Sequence, residues 1–81
     1  MWYIYALHCN DGTLYVGSTN SIKRRWFEHQ DGQSRSTRYK RPLRLVWYMA
    51  VQYEFQARHL EKYFKVGSGK AILKKRFIMN G

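Results

Sequence analysis

One cysteine, one proline and only five acidic residues stand among 81 positions, and each scarcity excludes something. A lone Cys9 cannot close an internal disulfide, so the fold must hold without one, and a free thiol fits a reducing, cytoplasmic setting. No run of about twenty apolar residues is present, which rules out a helical membrane span. The opening Met1-Trp2-Tyr3-Ile4-Tyr5 has neither a basic stretch nor a cleavage site, so no secretory signal is expected. Repeats, linkers and low-complexity segments are also missing. A chain this short predicts one domain over residues 1–81 with a thin core. Aromatics, at 17%, are one way to build such a core from few residues.

The shortage of acid leaves fifteen Lys and Arg against five Asp and Glu, a net charge of +10. The basic residues are spread from Lys23 to Arg76 and not gathered in a tail. A merely well-solvated surface gives a balance nearer zero, so a polyanionic partner is expected, nucleic acid before an acidic membrane face.

Residues 2 to 8 are aromatic or β-branched at most positions and read as a strand. Asn10-Asp11-Gly12 signals a turn, and residues 13 to 17 read as the returning strand of an antiparallel hairpin. Ser18 to Ser21 offer helix caps, and a helix is predicted from about 21 to 30, with Ile22 and Trp26 inward. Residues 32 to 41 are polar, basic and aperiodic, a loop; residues 43 to 51 read as a third strand. From 54 to 65 the period is helical, with Ala57, Leu60, Glu61 and Phe64 on one stripe. Gly67-Ser68-Gly69 reads as a break, followed by a short basic helix from Lys70 to about Phe77 with Ile72, Leu73 and Phe77 inward. The order ββαβαα predicts an α+β fold, a small three-stranded antiparallel sheet flanked by helices.

Three groups of residues can carry chemistry. If the hairpin loop is the three residues 10 to 12, Tyr5 pairs with Gly17 and Leu7 with Tyr15, so Tyr5 and Tyr15 are diagonal neighbours on one face. A two-residue loop would put them on opposite faces. Arg25 and His29 lie four apart on the first helix and share a side, where an Arg fork can meet a phosphate; alternatively both belong to a solvated surface. Glu61 sits on the apolar stripe of the second long helix, where a carboxylate needs a cation: a metal, or Arg58 and Lys65 on its own helix. Two other patterns fail. Gly67-Ser68-Gly69-Lys70 lacks the earlier glycine of a phosphate loop, since position 64 is Phe64, and Ala71 offers no hydroxyl; only a backbone phosphate contact at the new helix start is left. His8, Cys9, His29 and His59 have no zinc spacing.

Taken in order, these residues resemble the GIY-YIG nuclease superfamily, in particular its small stand-alone bacterial branch. Tyr3-Ile4-Tyr5 is similar to the first motif and Tyr15-Val16-Gly17 to the second, with Tyr3 in place of glycine and Val16 in place of isoleucine. Arg25 matches the family's arginine, His29 a histidine of the bacterial and repair branches, and Glu61 the metal-binding glutamate. An asparagine that many members carry later has no clear counterpart, Asn80 being close to the C-terminus.

The resemblance implies a magnesium-dependent (or manganese-dependent) endonuclease hydrolysing phosphodiester bonds in DNA, ahead of RNA, in a structure- or repair-related role. It implies Glu61 as metal ligand, Tyr5 and Tyr15 at the attacking water, Arg25 on the phosphate, and His29 as a shared base or an orienter. Lys23, Arg24, Arg35, Arg38, Lys40, Arg41 and Lys70 are the expected backbone grips. The alternative is a non-catalytic nucleic-acid-binding module that keeps the fold. A third expectation, suggested by the chain's small size, is a protein partner that supplies specificity.

Overall fold

A computed structural model describes residues 1–78. Its hairpin is set by the Asn10-Asp11-Gly12 loop. Gly12 takes φ +86°, which favours glycine, and Asp11 Oδ1 accepts from the backbone N–H of Thr13 at 3.0 Å. Cys9 N–H closes the loop on Thr13 O at 2.9 Å. This three-residue loop joins β1 (Trp2–His8) to β2 (Leu14–Thr19) in the register that pairs Tyr5 with Gly17 and Leu7 with Tyr15. The third strand, β3 (Arg44–Val51), pairs antiparallel along the other side of β1. Tyr5 faces Tyr48 there, and a bulge lies between Ala6 and Leu7. The order β2-β1-β3 leaves β2 and β3 as edges.

Alternation along β1 splits the interior in two. Tyr5, Leu7 and Cys9 pack with Leu43, Tyr15 and Leu45 under α1 (Ile22–Gln30), which contributes Ile22 and Trp26. Ser21 caps this helix, its hydroxyl accepting from Arg24 N–H at 3.3 Å. On the other face Ile4, Ala6 and Val16 meet Ala57, Leu60 and Phe64 of α2 (Glu54–Lys65) and Leu73 beyond it. The sheet is therefore covered by helices on both sides, as an α+β fold of this order predicts.

Two segments depart from the sequence reading. Gly67-Ser68-Gly69 is not a break but the first turn of α3 (Gly67–Ile72); the chain turns at Val66, which is extended, and at Gly67, with φ +57°. A Cβ on Gly69 would overlap the Tyr63 carbonyl, its carbon at 2.8 Å, so glycine lets α3 lie against α2. The helix then widens into a π turn over Leu73–Phe77, where Ile78 N–H donates to Leu73 O at 3.0 Å. The wider turn brings Ile78 into the core beside Leu73. Phe77, expected inward, is half exposed at the margin, its ring 5.6 Å from that of Trp47.

Candidate active site

The residues with chemical potential meet at the outer edge of β2. Gly17 makes this possible: a Cβ there would overlap the Tyr5 hydroxyl and lie 2.6 Å from Cζ, so the phenol of β1 occupies space that a side chain on β2 would fill. Tyr5 and Tyr15 share the α1 face, with ring centroids 6.3 Å apart. His29 lies beside both, at 5.7 and 5.2 Å.

His29 is wholly buried, at 0% exposure. Its Nε2 is 2.9 Å from the Tyr5 hydroxyl and its Nδ1 2.8 Å from the Thr37 hydroxyl. A neutral imidazole donates at one nitrogen and accepts at the other, and the two hydroxyls can rotate to match. Burial pushes His29 down to about 4, helped by the Arg25 charge, so the ring is neutral at pH 7. The same burial raises the Tyr5 phenol to about 12; Arg25 works against that rise, whereas Tyr15 and Glu61 add to it. His29 reaches no solvent and meets the edge only through Tyr5, so the contact it offers there is one that orients the phenol.

A measurable stability effect follows. Because the folded pKa of His29 lies below that of the unfolded chain, its neutral burial stabilises fully above about pH 6.5. That contribution is lost as the pH falls from there towards about 4, with a total of up to about 3 kcal/mol. Urea unfolding at pH 7 and 4.5 measures it, and His29→Gln should flatten the difference between the two.

Arg25 Nη1 donates to Glu28 Oε1 at 2.8 Å. Partial burial disfavours its charge, but the Glu28 hydrogen bond and the nearby Tyr5 and Tyr15 phenols outweigh that and raise its pKa further above the ordinary arginine value. With Arg24 and Arg58 it lines an open cleft of about 280 Å³ floored by Ser18, Thr19 and Asn20. Arg58 comes from α2, its guanidinium stacked 5.2 Å over the Trp2 ring and 3.2 Å from the Ser18 hydroxyl. Three guanidinium groups in one cleft suit a phosphate.

Glu61 approaches from the α2 side. Its carboxylate accepts a short hydrogen bond from Ser18 and pairs with Lys65 Nζ at 3.0 Å and Arg58 Nη1 at 3.8 Å. Both cations expected as partners are there, and the side chain is 19% exposed, facing the edge and not open water. Lys65 Nζ also sits 5.4 Å over the Tyr15 ring, so contacts from α2 wrap around β2 to the α1 face. Among the described residues no three His, Cys, Asp or Glu side chains gather to hold a metal ion. One carboxylate beside a hydroxyl nevertheless suits Mg²⁺, which keeps several waters and often takes one carboxylate plus substrate phosphate oxygens. The donor set at Glu61 fits such an ion.

Residues 1–76 match the family of GIY-YIG catalytic domains. The chain belongs to that family. It is 40% identical over 67 residues to a UPF0213 protein of Limosilactobacillus reuteri, covering 79% of this chain and 70% of that one. It is 39% identical over 77 residues to one of Bacillus licheniformis, covering 94% and 77%. The solution NMR structure of a UPF0213 protein from Bacillus halodurans superposes with a TM-score of 0.59 at 29% identity, over 95% of this chain and 87% of that one.

Around this GIY-YIG core the basic residues divide by use. Lys23 and Arg24 border the clefts at the start of α1; Arg24 bonds Asn20 Oδ1 at 2.9 Å and lies 3.6 Å from Glu28. Arg38 and Arg41 are spent on the backbone. Arg38 Nε donates to Gly32 O at 2.9 Å, and Arg41 donates to Gln30 O, left over at the end of α1, and to Arg38 O at 3.0 Å each. Lys40 lies 3.8 Å from Asp11, Arg35 is exposed, and Lys70 is half-buried on α3, which with six residues has only Lys70 N–H to Val66 O as its opening bond. Asn80 lies outside the described residues.

The residues missed by sequence reasoning are Ser18 and Thr37. Ser18 follows the second motif directly and pairs with Ile4, which puts it on the α2 face under Glu61. Thr37 lies in the segment read as a plain loop, which in fact carries a 3₁₀ turn (Arg38–Lys40) and buries Ser34 and Thr37. No pattern in the sequence marks it: the need for a polar partner shows only once His29 is seen to be buried.

Proposed function

We propose that this GIY-YIG domain is a metal-dependent endonuclease that hydrolyses phosphodiester bonds in DNA, in a structure- or repair-related role in the cytoplasm. One observation supports the reading above the others: a phenol, a guanidinium and a carboxylate from three elements gather about Gly17 and Ser18 of β2. The Tyr5 hydroxyl lies in the space over Gly17, Arg25 lines one cleft with Ser18, and Glu61 accepts from Ser18. Glu61 would hold Mg²⁺ or Mn²⁺. When bound, the ion neutralises charge on the scissile phosphate and eases departure of the leaving oxygen.

The chain's own groups do the rest. Arg25, held in place by Glu28, steadies the phosphate as its charge grows. Tyr5 takes the proton of the attacking water at its phenolic oxygen, in phenolate form. His29 fixes the direction of that oxygen, and Thr37 fixes His29. Tyr15 closes one wall of the site. Lys65 and Arg58 pair with Glu61 and would compete with a bound ion for the carboxylate.

A panel of labelled single-stranded, duplex, flap, branched and RNA substrates, with Mg²⁺, Mn²⁺ or EDTA, tests this proposal. Metal-dependent cleavage that favours flap or branched DNA is expected; equal rates on every substrate would remove the structure-related role. Arg25→Ala should lower kcat by about 10²- to 10³-fold with little change in KM, and Arg25→Lys should recover part of it. The loss appears in single-turnover cleavage at saturating protein.

The three contacts on Glu61 also favour a second reading, in which the carboxylate is a structural ion-pair partner and the protein binds nucleic acid without cutting it. Binding without cleavage under every metal condition would decide for that reading. Cleavage only on addition of cell extract would point to a protein partner.

A further inference from the structure

On the α1 face, beyond the start of that helix, the sheet carries two more tyrosines that the reaction does not use. Tyr48 stands across from Tyr5 in the strand register, yet it is 56% exposed while Tyr5 is buried. Tyr3, two residues before Tyr5 on β1, meets Tyr48 at 6.3 Å with an interplanar angle of 63°. An edge-on contact of this kind leaves ring surface uncovered. The two rings, with Asn20, Ser21, Ile22 and Lys23, line a cleft of about 460 Å³, within the range of about 300–1,000 Å³ common for small-molecule sites.

This cleft adjoins the arginine cleft at one shared residue. Asn20 lines both, with Tyr3 and Lys23 on one side and Arg24, Arg25 and Arg58 on the other. Tyr3 and Tyr5 lie one pleat repeat apart on the same strand, about 6–7 Å at ~3.3 Å per residue. A short step of one extended nucleic-acid strand spans that distance. Tyr48 is one of several aromatics left half-exposed among the described residues; what sets it apart is that a second ring, Tyr3, and the cation of Lys23 share its cleft, the chemistry that suits a flat ring joined to a phosphate.

We infer that the Tyr3–Tyr48 cleft receives one unpaired nucleobase of the strand whose phosphate lies in the neighbouring arginine cleft, so that the protein selects nucleic acid with a base free to leave its stack. The location of the phosphate rests on the nuclease reading. The base stacks on Tyr48, with Tyr3 fixing that ring from its edge. Lys23 neutralises the adjoining phosphate, and Asn20 and Ser21 face the base edge. A base paired within a duplex cannot enter without being extruded.

The test is anisotropy of fluorescein-labelled oligo(dT), oligo(U) and a blunt duplex against the full chain in EDTA, so that nothing is cut. Tyr48→Ala should weaken oligo(dT) binding about tenfold, within the roughly 5- to 150-fold that a base–aromatic stack supplies, and leave duplex affinity unchanged. Tyr48→Phe should bind like the wild type, since the ring and not the hydroxyl is used. A 2-aminopurine placed in the oligonucleotide should be quenched by wild type and not by Tyr48→Ala. Equal oligo(U) binding makes the ligand an unpaired base of either nucleic acid, and weaker oligo(U) binding restricts it to DNA; both keep the cleft as proposed. Wild-type oligo(dT) affinity in Tyr48→Ala, or an equal loss on duplex, overturns it. Failure of the nuclease reading is separate: it shows as Tyr48-dependent binding with no metal-dependent cleavage.

Discussion

Glu61→Ala is expected to abolish metal-dependent cleavage while nucleic-acid binding survives or tightens. The loss should be on the order of 10³-fold or more, since metal stabilisation of transition-state charge is worth several kcal/mol and each ~1.4 kcal/mol is tenfold. Stability should move little: the pairs to Lys65 and Arg58 are partly solvated, and such pairs contribute about 0–1 kcal/mol. Binding should tighten because one negative charge leaves the border of the arginine cleft and Lys65 loses its partner, while Arg58 keeps Glu54 at 3.3 Å; the salt dependence steepens with it. Glu61→Gln keeps an oxygen for Ser18 and should bind similarly without cutting. Single-turnover cleavage, anisotropy at two salt concentrations and thermal unfolding separate these effects. Substantial Mg²⁺-dependent cleavage by Glu61→Ala would end the metal assignment.

Tyr5→Phe is expected to lower cleavage by about 10²- to 10⁴-fold, the usual range for loss of a positioned base. It also strands His29 Nε2 in the interior, at a cost of about 1–3 kcal/mol in stability. The pH profile distinguishes the two consequences. With the phenol held near 12, only a minute fraction is phenolate at neutral pH, so the wild-type rate should climb with pH through the neutral range. A bound divalent cation pulls that value down and brings the plateau earlier. Tyr5→Phe should lose the slope as well as the rate. A wild-type profile flat from pH 6 to 9 would remove Tyr5 from the proton transfer and leave it as a wall of the site.

What was legible in the sequence was local. Asn10-Asp11-Gly12 announced the hairpin but left a two- or three-residue loop open; the three-residue loop of the structure sets the register, and the register places Tyr5 and Tyr15 on one face. The stripe of Ala57, Leu60, Glu61 and Phe64 gave α2 from Glu54 to Lys65, and the spacing of Arg58 and Lys65 about Glu61 anticipated both ion pairs. Contacts without periodicity were hidden. Thr37 reaches His29 across an irregular segment, and Arg38 and Arg41, read as phosphate grips, find backbone carbonyls that no pattern announces. Gly67 to Gly69 looked like punctuation because glycine breaks helices on average. Here Gly69 is needed for a close helix crossing, and that is visible only once Tyr63 is in place. Tyr48 was legible as a strand residue, but its exposure follows from where α1 begins.

The wrapping of α2 side chains around β2 has a consequence for how this protein associates. Edge strands invite another chain to add alongside, and both β2 and β3 present free backbone groups in the described residues. A strand annealed to β2 would lie between Lys65 and Tyr15 and wall off the carboxylate from the phenol. Under the nuclease reading, self-assembly by β-augmentation along that border would therefore close the site, and an oligomer or tethering partner compatible with cleavage must attach elsewhere, with the far border at β3 still open to it.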